Sequence, residues 1–100
     1  MARSFRANGK VWLWPGEQGA WHFVYVDKKI SEDIKARQKG KMRRGFGGVR
    51  VEVKAGKTVW QTSIFPDSRS GTYLLPLKAS VRRAEGLFEG DPISYSLTLI

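Results

Sequence analysis

Cysteine is absent from the 100 residues, histidine occurs once, and acids number nine against eighteen lysines and arginines. Without cysteine there is no disulfide framework, no thiolate metal site and no cysteine nucleophile, and nothing calls for an oxidising compartment. A zinc site built on the single His22 would need carboxylates such as Asp67 or Asp91, which no spacing brings beside it, so neither metal nor cofactor is expected. Nowhere do eighteen apolar residues follow one another, and the first ten carry charge without an apolar core behind them. Both patterns argue against a membrane helix or a signal segment and lead to the expectation of a soluble, cytoplasmic chain.

What the chain does have is rings and cations. Four tryptophans, five phenylalanines and three tyrosines supply apolar area for a strand-rich core, in which most of the tryptophans are expected to lie. A length of 100 residues suits one domain, residues 1–100, since halves of it would have cores too small to stand. The net charge is +9 and its placement is lopsided: residues 1–50 hold twelve cations against four acids, residues 51–100 six against five. Lys35, Arg37, Lys39, Lys41, Arg43 and Arg44 crowd six cations into ten residues without an acid, a density that attracts polyanions.

Period-two alternation predicts six strands. Residues 5–14 form the first, ending at Pro15-Gly16, and residues 20–26, apolar on both faces, form a central strand covered on each side. Ser31 with Glu32-Asp33 reads as a helix N-cap followed by acids in the first turn, and Ile30 and Ile34 share a face up to about Gln38. Glycines at 40, 45, 47 and 48 then make residues 39–48 an exposed loop. Strands follow at 49–53, 57–65 and 72–77, with Pro76 held to a strand end or edge because it lacks an amide donor. A short helix over 78–85 ends at Gly86, suited to a left-handed cap, and residues 93–99 alternate apolar with hydroxyl. The order strand, strand, helix, strand recurs, consistent with a degenerate duplication of 1–54 and 55–100.

The second half carries a denser pattern: Trp60-x-Thr62-Ser63-x-x-Pro66, Gly71-x-Tyr73-x-Leu75-Pro76, Lys78-x-x-Val81-Arg82 and Gly90-Asp91. With Gly19-Ala20-Trp21-x-Phe23 and Gly45-Phe46-Gly47 it resembles a bacterial family of small uncharacterised proteins, the domain of unknown function 1905. That resemblance implies a mainly β fold, a six-stranded double-split β-barrel of the AbrB and MazE type with two short α-helices. AbrB-like regulators bind DNA as dimers, which reaches this chain by analogy of fold alone. Where the family has a proline near the start of the first helix, Asp27 stands here.

Catalytic constellations are thin. His22 sits among apolar neighbours and reads as a packed, hydrogen-bonded structural histidine; no serine lies in a Gly-x-Ser-x-Gly elbow. Glu32-Asp33 and the group Glu85, Glu89, Asp91 read as helix-start and surface acids, and Gly45-Phe46-Gly47-Gly48 leads to a strand, not to the helix a phosphate cradle needs. The leading reading is a noncatalytic binding module that meets nucleic acid or another polyanion through the basic run, with Trp12, Trp14 and Trp21 as stacking surfaces where exposed. A second reading is a small-molecule or enzymatic cleft near the second helix, drawing on Thr62, Ser63, Asp67, Lys78 and Arg82. A third is a protein interaction module dimerising through a strand edge, and monomer and homodimer both stand open.

Overall fold

Alternation of buried and exposed side chains organises the structure, a computed structural model that describes residues 4–16, 19–38 and 48–100. The elements are β1 (Ser4–Lys10), β2 (Trp12–Gly16), β3 (Gly19–Tyr25), α1 (Lys28–Gln38), β4 (Val49–Ala55), β5 (Thr58–Asp67), β6 (Thr72–Pro76), α2 (Ala79–Glu85) and β7 (Pro92–Leu99). All ladders are antiparallel and the strand order is β1-β7-β4-β5-β6-β3-β2. The fold is therefore mainly β with two helices, and it has seven strands among the described residues where six were expected.

The extra strand comes from a break at Val11. Its amide donates to the Asp91 carbonyl and its carbonyl accepts from the Gly90 amide, so these groups serve a turn instead of a ladder. Before the break β1 pairs with β7; after it β2 pairs with β3, at the opposite end of the strand order. One residue can bridge the two ends only if the sheet curls back upon itself. Gly9 marks the close approach, since a Cβ there would lie 2.6 Å from a Val24 methyl. Among the described residues no ladder joins β1 to β2, so the sheet is curled but not closed by hydrogen bonds.

The ten residues of β5 span both halves of the curl, pairing with β4 from Thr58 to Ile64 and with β6 from Phe65 to Asp67. The concave side holds the core, including Val51, Val53, Ile64, Leu75 and Leu97, all fully buried. β7 follows its predicted alternation, with Ile93, Tyr95 and Leu97 inward and Ser94 outward. β3 departs from expectation: it has neighbours on both edges, yet only one face is covered. Val24 is fully buried, whereas Trp21 is 62% exposed and Tyr25 44%.

α1 also begins earlier than expected. The Asp27 carboxylate accepts from the amides of Lys29 and Ile30, satisfying first-turn donors and starting the helix at Lys28. Ser31 is thereby inside the helix, fully buried, and its hydroxyl donates to the Val26 carbonyl while accepting from the Tyr73 amide. That hydroxyl joins α1 to the end of β3 and to β6. Asp33, two residues further on, pairs with Arg37 one turn away at 2.8 Å.

α2 is fixed at its C-terminal end in two ways. Gly86 adopts the left-handed conformation (φ 62°) and its amide returns to the Arg82 carbonyl. The Glu85 carboxylate accepts from the Lys57 amide and the Thr58 hydroxyl, tying the helix to the β4–β5 hairpin. No described helix is long and apolar enough to cross a membrane.

Candidate functional site

Where β3, β5 and β6 meet α2, the sheet leaves a cleft of about 250 Å³. β3 contributes Trp21 and His22, β5 Trp60 and Thr62, and the β6–α2 segment Pro76, Leu77, Lys78, Ala79 and Arg82. Its walls are apolar on five residues, Trp21, Trp60, Pro76, Leu77 and Ala79, and its polar groups are a hydroxyl, an imidazole and two cations. No acid lines it. A single strand step explains why Thr62 belongs here and Ser63 does not: consecutive β residues point to opposite faces. Ser63 accepts from an Arg50 guanidinium nitrogen at 3.3 Å, away from the cleft.

Arg82 is oriented before any ligand arrives, because its Nε donates to the Leu77 carbonyl at 3.2 Å. His22 sits between this cleft and a second of about 430 Å³, lined also by Arg82, Arg83, Leu87, Phe88 and Glu89. Its Nδ1 is buried with no hydrogen-bond partner among the described residues. Burial, and next the positive charge of Arg82, hold its pKa below the ordinary 6.5, with Glu89 opposing. The imidazole is therefore neutral at neutral pH.

Of the five residues expected around a cleft near the second helix, Thr62, Lys78 and Arg82 converge; Ser63 and Asp67 do not. Asp67 ends β5 and accepts from both the amide and the hydroxyl of Ser70, which closes the turn to β6. The Ser70 hydroxyl bond is also the main reason its pKa lies below the ordinary 3.8. His22 is the functional candidate that residue type alone did not reveal. The usable signal was its parity with Val24, which puts a polar ring on the inward face at the middle of the strand.

Beside the cleft, Trp21 begins an aromatic face. Register places Trp12 opposite Phe23 and Trp14 opposite Trp21, so all four rings lie on one side of β2 and β3, with Tyr25 next in line. The rings touch: Trp12 stacks on Tyr25 at 4.9 Å and on Trp14 at 6.1 Å, and Trp21 stacks on Phe23 at 6.4 Å. Trp14 remains 45% exposed, and the guanidinium of Arg69 lies 5.9 Å from its ring centre. The expectation that most tryptophans are core residues is corrected: only Trp60 is buried. Strand parity accounts for this, since each of the other three projects from the convex side.

The basic run is only partly described. Lys35 and Arg37 occupy the last turn of α1, exposed, with Arg37 engaged by Asp33. Lys39, Lys41, Arg43 and Arg44 lie outside the described residues. Among the described residues no group of three or more histidine, cysteine or acid side chains gathers in a way that could hold a metal ion.

The family model for a domain of unknown function (DUF1905) matches residues 5–97. The chain belongs to the DUF1905 family. Its match takes in most of β1 at one end and most of β7 at the other, and with them the cleft and the aromatic face. No curated protein matches the sequence.

Proposed function

We propose that this DUF1905 protein is a noncatalytic binding module whose aromatic face stacks the bases of a single-stranded nucleic acid. The observation that carries the reading is the cluster of partly exposed rings of Trp14, Trp21 and Tyr25, backed by Trp12 and Phe23 and flanked by Arg69. Unpaired bases offer flat π faces to such rings, whereas in a duplex those faces are covered by neighbouring pairs. A chain of net charge +9 favours a polyanion over a second copy of itself. Lys35, Lys39, Lys41, Arg43 and Arg44 are the cations on which this reading draws for phosphate contacts. On fold, the strand, strand, helix, strand order met twice from Trp12 to Leu99 supports kinship with the double-split barrel of AbrB-like regulators.

Fluorescence anisotropy of short labelled oligonucleotides tests the proposal. With four or five phosphates met, log affinity for a single strand falls with log salt at a slope of about −2.8 to −3.5. Replacing Lys39, Lys41, Arg43 and Arg44 by serine flattens that slope. Equal affinity for duplex and single strand, or a salt-independent signal, overturns it.

A second reading, a small anionic ligand in the cleft, is favoured by the convergence of Thr62, Lys78 and Arg82 with His22.

A further inference from the structure

The cleft and the aromatic face share Trp21, so what one holds constrains the other. The chemistry of the cleft is that of an oxyanion site. Lys78 and Arg82 bring two positive charges, Thr62 a hydroxyl and His22 an imidazole, with no carboxylate among the lining residues. The acid whose charge acts on His22 is Glu89, which lines the neighbouring cleft. A phosphomonoester carries about −1.5 to −2 charges near neutrality, matching two cations, while a phosphodiester within a strand carries only one. Arg82 supplies the planar fork suited to phosphate oxygens, and its Nε bond to Leu77 leaves the terminal nitrogens to face a ligand.

Size and walls narrow the ligand further. At roughly 30 Å³ per water in the liquid, a cleft of about 250 Å³ accepts a phosphate group and part of what is attached to it. Trp60, Pro76 and Leu77 give it apolar walls, and Trp21, 62% exposed at the rim, offers a ring on which a base could stack.

We propose that the cleft bounded by His22, Thr62, Lys78 and Arg82 captures a phosphomonoester attached to a nucleobase, the terminal phosphate of a single strand whose end base stacks on Trp21. The strand-end form rests on the single-strand reading above; the phosphomonoester chemistry does not, since a free nucleotide presents the same groups. The aromatic face then carries the body of the strand and the cleft sets where its end lies.

Oligothymidylates bearing a phosphate at the 5′ end, at the 3′ end or at neither, together with adenosine monophosphate, form the test on the full chain. One terminally phosphorylated oligonucleotide should bind about tenfold or more tighter than the unphosphorylated one, the gain a charge-assisted contact confers. That gain should vanish in Lys78→Gln and in Arg82→Gln. Lys78 is exposed and its side chain makes no capping bond, so Lys78→Gln keeps the fold if α2 fails in the Arg82 variant. Equal affinity of all three oligonucleotides, with adenosine monophosphate also unbound, overturns the cleft proposal while leaving the single-strand reading intact. Binding of adenosine monophosphate that depends on Lys78, with no oligonucleotide bound, supports the cleft and removes the strand. A phosphate preference that survives both substitutions assigns it elsewhere and overturns the proposal.

Discussion

The convex surface of this sheet has two halves with opposite chemistry. Over β1, β7 and β4 the outward residues are Ser4, Arg6, Asn8, Ser94, Ser96, Thr98, Arg50, Glu52 and Lys54, hydroxyl, amide or charged without exception, and some bond across the strands: Ser4 with Thr98 at 2.8 Å, Ser94 to Asn8 at 2.6 Å. Over β2, β3 and β6 the outward residues are Trp12, Trp14, Trp21, Phe23 and Tyr25, with Leu74 and Pro76 opposite the last two. Both halves obey the same period of two. The difference teaches that alternation decides which side chains leave the core, while only their chemistry tells whether water is the intended neighbour. Hydroxyls and charges facing solvent need no further cause; a contiguous patch of large rings does.

The comparison breaks most directly by making the aromatic half resemble the hydroxyl half. Trp14→Thr with Trp21→Ser should leave the thermal midpoint nearly unchanged, since both rings are well exposed, yet lower single-strand affinity by about 1–3 kcal/mol for each base that loses its ring. Ser94→Ala and Ser96→Ala on the other half should leave binding as it was. Anisotropy titrations read both arms.

Serines sharpen it next. Ser31→Ala strips the bond that the buried Tyr73 amide makes and should cost about 1–3 kcal/mol in chemical denaturation. Ser94→Ala, exposed, should stay within about 0.5 kcal/mol.

Acid separates the two halves in a third way. Because folding holds the His22 pKa below 6.5, the unfolded chain takes up the proton more readily. The stabilisation is present above about pH 6.5 and is lost as pH falls through the lowered folded value. His22→Gln should flatten the stability profile between pH 7 and 5, while Asn8→Ala on the hydroxyl half leaves it unaltered. Protonation also adds a cation beside Lys78 and Arg82, so phosphate binding should tighten over the same range in spite of Glu89. The smallest effect is expected at the end of α1, where Asp33→Asn should cost about 0.2–0.5 kcal/mol, the usual worth of such a pair.

Much of this was legible from residue order, for reasons that also mark where it failed. β4 and β7 place apolar and polar residues strictly in turn, and their burial follows. β3 places apolar residues on both faces, which suggested cover on both; rings satisfy each other sideways and so hid an open face. The break at Val11 was invisible because a buried valine suits a strand and a turn alike, and its partners at Gly90 and Asp91 are remote in the chain. Ser31 looked like a cap because serine usually serves there, but Asp27 took the first amides and freed that hydroxyl for Tyr73. In the candidate site, Thr62, Lys78 and Arg82 were visible through the signature they share, whereas Ser63 and Asp67 belong to it for a local turn and an outward contact.

The clasp between Glu85 and the β4–β5 hairpin has a consequence for recognition. It sits at the far end of α2 from Lys78, and Gly56 packs against it so closely that a Cβ there would collide with the carboxylate. A helix pinned in this manner spends its conformational freedom during folding, so the wall carrying Arg82 is already set when a guest arrives, and the ordering penalty that weakens many small receptors is largely removed from the encounter.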